Sequence, residues 1–386
     1  MSTLPFELFK ASSTPVYYYD IELLQHTLEA LVKASSVDHR FKVHYAVKAN
    51  ARPEILRIIQ TAGLGADCVS GGEIKEALTA GFPSDRIVFA GVGKTDKEIL
   101  LGLSHEIECF NVESTAELTV INDLALKAGA VANVALRVNP EIDAHTHKYI
   151  TTGLSENKFG IAMSQLDEAI DMAREMTGIN LVGLHFHIGS QLTQLDSYRL
   201  LCGRINELVS LYDSRGVKFK LINVGGGLGI DYDNPDEAPI PDFKSYFNLF
   251  KENLDLDNNI EIHFELGRAV VAQCGSLITR VLYIKEAPTR RFAIVDAGMT
   301  DLIRPALYQA HHAIQLVSDD ASERPVATYD IVGPICESSD VFATDESLPQ
   351  LVRGDILAIR SAGAYGEIMA SQYNLRKLPG AIFNNQ

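Results

Sequence analysis

Lys48 closes the apolar run Tyr45-Ala46-Val47, just before a turn. Burying an ammonium without a partner is costly, so a lone lysine at a strand end ordinarily snorkels out to water. A desolvated amine, by contrast, is a nucleophile that can form a Schiff base with a carbonyl. Other chemically able groups stand at the ends of similar runs. They are Asp67, Gly91, Glu113, Arg137, then His187 and Ser190 in HIGS, Gly225, Gly226 and Gly227, and finally Glu265 and Arg268 in ELGR. Taken singly, each has an ordinary structural reading. Asp67 and Glu113 would cap helices, the glycines would make a tight turn, and His187 would be a satisfied core histidine. The glycines do not spell GxGxxG, since Ile230 stands where the last glycine belongs, which disfavours a nicotinamide fingerprint. Together they point elsewhere. The backbone N–H groups of the three glycines, the Ser190 hydroxyl and the Arg268 guanidinium are three kinds of phosphate donor. Adding the Glu265 carboxylate and the Lys48 amine gives the set that pyridoxal phosphate requires. The lysine would hold the aldehyde, and the carboxylate would keep the ring nitrogen protonated so that the ring accepts electrons.

Such a set works only if the fold gathers distant strand ends. Short β-branched or apolar runs recur at VHYAV (43–47), GADCV (65–69), IVFAG (87–91), ECFNV (108–112), NVALRV (133–138), LVGLHFHI (181–188), LINVGG (221–226) and EIHFEL (261–266). Between them, residues 53–61, 73–80, 97–103, 115–127, 166–176 and 196–214 carry helical apolar spacing. Glycines follow several of these segments, as C-terminal caps do. Strands alternating with helices imply parallel pairing, and eight units over about 250 residues predict an α/β fold with a closed (β/α)8 barrel. A doubly wound open sheet is the alternative on this pattern. After Glu265 the rhythm changes: SLITRVLYIKEA, FAIVDAG, ATYDIVGP and GDILAIRSAGAYG follow one another with little helix. That predicts a second, mainly antiparallel β domain, which TPVYYYD (14–20) could join. The expected division is 22–267 for the barrel and 1–21 with 268–386 for the β domain. Residues 234–241 read as a surface excursion of the barrel half.

The composition narrows the function classes. With 386 residues, 46% hydrophobic and 22% charged, the chain has ample core for a globular protein. A net charge of −16 without a basic run argues against a nucleic-acid partner. No apolar stretch approaches the roughly 20 residues of a membrane span. The start, MSTLPFELFK, lacks the basic-then-apolar shape of a secretory signal. Five cysteines are scattered without metal-ligand spacing, so free thiols in a reducing cytoplasm are expected, and no metal site.

Read in order, YAVKAN, GADCVSGGE, FNVES, RVNP, TTGLSENKFGI, LHFHIGSQ, NVGGGLGI, ELGR, DAGMTDLIRPALY, VGPICESSD and SAGAYG resemble the diaminopimelate decarboxylases over nearly the whole chain. These belong to the barrel-type pyridoxal phosphate decarboxylases, with the ornithine and arginine enzymes. The lysine strand, HIGS and GGG are shared across that superfamily; RPALY and CES point more narrowly. Two departures stand out: Leu266 replaces a usual proline, and GVGKT (91–95) replaces a more common asparagine-containing form. The resemblance implies that Lys48 holds the cofactor, His187 stacks on its ring and Glu265 bonds its nitrogen. Ser190, Gly225, Gly226, Gly227 and Tyr365 would hold the phosphate, and Arg268 would serve the phosphate edge and the substrate. Arg304 and Tyr308 would clamp the distal carboxylate of meso-diaminopimelate, with Tyr365 nearby. Cys336 would be the proton donor and Glu337 would bind the distal ammonium. In relatives these last residues enter from a neighbouring subunit, which implies a homodimer with shared active sites. Residues 143–159 would form a lid by the same analogy. Two alternatives stay open. One keeps the chemistry on another basic amino acid or carboxynorspermidine, which Arg304 argues against. The other is a barrel that binds pyridoxal phosphate without turnover, which the retained Cys336, Glu337 and Tyr365 argue against.

Overall fold

The computed structural model describes residues 4–142 and 158–384, and the chain divides into two compact units. One holds residues 28–229 and 242–267; the other holds 1–27, 230–241 and 268–386. Residues 234–241, read from sequence as an excursion of the barrel half, group with the second unit as part of the stretch 230–241. Most of the expected lid, residues 143–157, lies outside the described residues.

The first unit is a closed barrel of eight parallel strands. Phe41–Ala46, Gly65–Cys68, Ile87–Phe89, Cys109–Val112, Ala132–Asn139, Ile179–His185, Leu221–Asn223 and Glu261–Leu266 pair in chain order, and the last pairs back on the first. Alternation along the strands sorts their side chains. Phe41 and Phe264 pack against Phe247 of the helix Phe243–Asn253, on the outer face. Inside, Val88, Cys109, Ala135, Val182 and Leu221, one from each of five strands, form a buried apolar layer. Two residues further along three of those strands stand Asn111, Arg137 and Asn223, so a polar layer lies on the carboxyl side of the apolar one. On the amino side, His263 sits two residues before Glu265. Its ring stacks on His44 with centroids 4.8 Å apart, and His44 Nε2 lies 2.8 Å from Glu108 Oε2. The barrel is therefore a filled core with polar chemistry concentrated at its carboxyl end.

The second unit is an eight-stranded sheet. Val16–Tyr19 joins it as expected, antiparallel to Gly275–Glu286. The sheet is mainly antiparallel, with two parallel pairings, Val16–Tyr19 with Gly380–Phe383 and Arg291–Val295 with Val326–Val332. Phe9, Val16, Tyr18, Ile278, Val317, Ile356 and Ala358 make a core on one side. Among the described residues no helix is long and apolar enough to cross a membrane. All five cysteines are free; four are buried and Cys336 is exposed.

Candidate active site

Lys48 lies in the short 3-10 turn Val47–Ala49, directly after the strand Phe41–Ala46. Val47 is apolar enough to read as strand, but the backbone has already turned. Lys48 Nζ donates to Asp67 Oδ2 at 3.1 Å, and Asp67 is wholly buried in the next strand. Burial, then the charge of Glu265, pushes the Asp67 carboxyl up, while Lys48 opposes that rise. Asp67 is not the helix cap that its position suggested. Ser70 caps the following helix by accepting from the Glu73 N–H. Glu113 is likewise no cap: Ser114 does that work, and Glu113 pairs with Arg137 at 2.6 Å.

A second lysine, this one with a buried side chain, sharpens the meaning of Lys48. Lys94, within the unusual GVGKT segment, gives its three N–H donors to Gly91 O, Asn111 O and Glu117 Oε1. An ammonium has three donors and no acceptor, so Lys94 is saturated and structural. Lys48, with its side chain 41% exposed, is the accessible one.

Glu265, near the end of the last barrel strand, is the centre of the polar layer. Its Oε1 accepts from Asn111 Nδ2 at 3.0 Å and Asn223 Nδ2 at 2.7 Å, and Oε2 lies 3.1 Å from His185 Nε2. Burial alone would raise this carboxyl, but His185, then Lys48 and His187, outweigh it and hold it well below the usual carboxylate range. A carboxylate has about four lone-pair sites, so Oε2 keeps one for a further donor. His187 Nδ1 accepts from the Gly226 N–H at 3.3 Å. Burial first, then the charges of Arg137 and Lys48, push His187 down to about 3, so its ring is neutral at pH 7. Gly225 and Gly226 are there because the chain passes too close for side chains. A Cβ would lie 2.3 Å from Phe186 O at Gly225, where φ is +72°, and 1.9 Å from Glu265 O at Gly226. Gly227 and Ser190 are half-buried beside this turn in sequence and on the preceding strand end.

The second unit gathers its own cluster. RPALY is a helix, Arg304–Tyr308, which puts Arg304 and the half-buried Tyr308 one turn apart. Arg304 is buried; its Nε donates to His312 Nε2 at 3.2 Å, and its guanidinium lies over the Tyr232 ring at 5.2 Å. Among the described residues it has no carboxylate partner. Arg268 donates to the Tyr232 hydroxyl at 2.6 Å and lies over the Tyr365 ring at 5.0 Å. His312 donates from Nδ1 to Arg360 O at 2.8 Å; burial, then the Arg304 charge, pushes it down to about 3. Glu337 Oε1 accepts from the Tyr373 hydroxyl at 2.6 Å, next to the exposed Cys336.

The lowered His312 has a measurable consequence. Unfolded, it titrates near pH 6.5; folded, it refuses the proton, so its contribution is present above pH 6.5 and lost as pH falls towards 3. The difference in unfolding free energy between the native chain and His312→Gln should close from pH 7 to pH 5, by about 1.4 kcal/mol per pH unit below pH 6.5. Thermal unfolding of both proteins at three pH values checks it; a constant gap would contradict the neutral buried imidazole.

The profile of the pyridoxal-dependent decarboxylases, pyridoxal binding domain, matches residues 24–272. A diaminopimelate decarboxylase of Bacteroides thetaiotaomicron is 56% identical over 97% of this chain and 96% of its own length. The chain belongs to the diaminopimelate decarboxylases. A second member of the family, from Aquifex aeolicus, is 42% identical over 96% of this chain and 86% of its own. The crystal structure of the Helicobacter pylori diaminopimelate decarboxylase complexed with L-lysine superimposes with a TM-score of 0.91 at 40% identity, covering 98% of this chain and 93% of that one. The residues present fit the pyridoxal phosphate on which the family depends. An accessible lysine, an ionised buried carboxylate with a lone pair to spare and a neutral imidazole stand in one barrel. The departure at Leu266 leaves a buried apolar residue, and the one at GVGKT leaves the saturated Lys94; neither removes a group from the set.

Proposed function

We propose that this chain decarboxylates meso-2,6-diaminopimelate at its D-centre with pyridoxal phosphate, giving L-lysine and CO2, the last step of lysine biosynthesis. Within the family, the observation that carries the substrate choice is Arg304, a buried guanidinium with one neutral hydrogen-bond partner and no carboxylate among the described residues. A substrate with a distal carboxylate supplies the missing anion. Ornithine has none there, and would leave a desolvated cation unpaired.

Bound pyridoxal phosphate supplies the sink for the electron pair released as CO2 leaves. Lys48 would hold the cofactor through its amine, and Asp67 Oδ2 is placed to exchange a proton with Nζ. Glu265 stays ionised and would offer Oε2 to the ring N–H. His187, uncharged, would face the ring. Ser190, Gly225, Gly226, Gly227 and Tyr365 would hold the phosphate, with Arg268 shared between it and the substrate. Arg304 and Tyr308 take the distal carboxylate, and Glu337 takes the distal ammonium. Cys336 Sγ returns a proton to the α-carbon; it is the one exposed thiol of five, the other four being held protonated by burial. Cys336 and Glu337 would serve the substrate held by a second copy, making a homodimer with shared sites. Five free thiols suit a reducing cytoplasm.

The purified chain with pyridoxal phosphate should release CO2 from meso-diaminopimelate and not from ornithine or arginine. Release from ornithine or arginine alone, measured with labelled carboxylates, would sink the reading.

A further inference from the structure

RPALY names one arginine, but a buried guanidinium is useful only if something aims it. Around Arg304 two aromatic residues do so, and neither belongs to a motif from which the site was read. Tyr232 lies under the guanidinium plane, and its hydroxyl accepts from Arg268 Nη1. His312 accepts a hydrogen bond from Nε. The histidine can do this only as a neutral ring, because a protonated imidazole has two donors and no acceptor. Its other nitrogen is spoken for: Nδ1 must donate, since the Arg360 carbonyl can only accept. That fixes the tautomer and leaves Nε2 as an acceptor. The carbonyl is itself held in place, because the Arg360 guanidinium bonds both oxygens of Asp236, at 2.8 and 3.1 Å, and Gln315 Oε1 at 2.9 Å. His312 also meets the Tyr232 ring edge to face, with centroids 5.1 Å apart.

We infer that His312 is a positioning residue for substrate specificity: by accepting from Arg304 Nε it turns both Nη groups of the fork toward a carboxylate. An Asp or Glu at position 312 would hold Arg304 as firmly, but would neutralise it and compete with the substrate. A neutral acceptor orients the cation and leaves its charge to be used. The inference rests on Arg304 binding the distal carboxylate.

The test compares two variants of the pyridoxal-loaded enzyme. In His312→Asn the shorter amide can still donate to Arg360 O but does not reach Arg304. In His312→Gln one more methylene brings a carbonyl to where Nε2 stood. A hydrogen bond to a charged group is worth about 1.5–3 kcal/mol, so the Asn variant should raise KM for meso-diaminopimelate about 10- to 100-fold, with the loss on KM and kcat moving less than about threefold. The affinity for L-lysine, which keeps the same carboxylate, should weaken comparably by calorimetry. The Gln variant should recover to within about threefold of native in both. If the native enzyme does not turn over meso-diaminopimelate, the functional reading fails. If the native enzyme does and the Asn variant keeps native KM and L-lysine affinity, or loses kcat alone, the inference is overturned. Should the Asn variant not fold, the Gln variant decides: a tenfold loss of L-lysine affinity would overturn it.

Discussion

Lys48→Ala should abolish turnover, by about four orders of magnitude or more, and remove the absorption band of the bound cofactor, while the unfolding midpoint moves little. The first two effects follow from losing the only accessible amine among the two lysines that sit at these strand ends. Lys94 cannot substitute, because all three of its donors are bound. The third effect is less obvious, since the substitution strips Asp67 of its cation inside the barrel. Breaking a buried pair normally costs several kcal/mol through the uncompensated charge. Here the carboxyl already has a raised pKa, from burial and from Glu265. Without Lys48 it has less reason to ionise, so it takes up a proton and the charge disappears. Circular dichroism with thermal unfolding, beside an absorption spectrum, separates a folded barrel without its handle from a collapsed one. A variant that kept its colour and its activity would remove Lys48 from the mechanism.

The pattern that makes Lys48 legible also shows what a linear reading cannot see. EIHFEL (261–266) and the helices at 53–61 and 196–214 match the structure residue for residue. There the apolar spacing and the flanking turn residues agree with the tertiary environment. The barrel strands are buried on both faces, so their polar members do not announce a side. Asp67, Asn111, His185 and Asn223 each sit among apolar neighbours, and each looks like an accident until its partner is known. For Asn111 that partner, Glu265, is 154 residues away. Lys94 was similarly opaque, its three acceptors lying on different segments. In the second unit, Val341–Pro349 carries two acids and no clean alternation, yet it pairs along its length with Val326–Val332. Gly380–Phe383 escapes notice because it pairs in parallel with Val16–Tyr19, at the opposite end of the chain. Residues 234–241 read as a surface excursion because they are rich in Pro and Asp. Asp236 in that stretch instead holds Arg360, and Tyr232 just before it holds Arg268.

Mixing Lys48→Ala chains with Cys336→Ala chains should restore activity that neither has alone. Lys48 stands on the barrel, while Cys336 lies exposed between the strands Val326–Val332 and Val341–Pro349 of the other unit. If each site takes its lysine from one subunit and its thiol from the other, a hybrid dimer places both defects in one site and none in its twin. After full exchange at equal amounts half the dimers are hybrids, each with one intact site, so about a quarter of native activity should return. If both groups come from one chain, every site in every combination carries one defect and nothing returns. The two architectures therefore differ in outcome without depending on how severe either substitution is. Exchange has to be verified independently, by mass spectrometry of differently tagged subunits. With exchange established and no recovery, the shared site is wrong, and Cys336 must meet the substrate within its own chain or not at all.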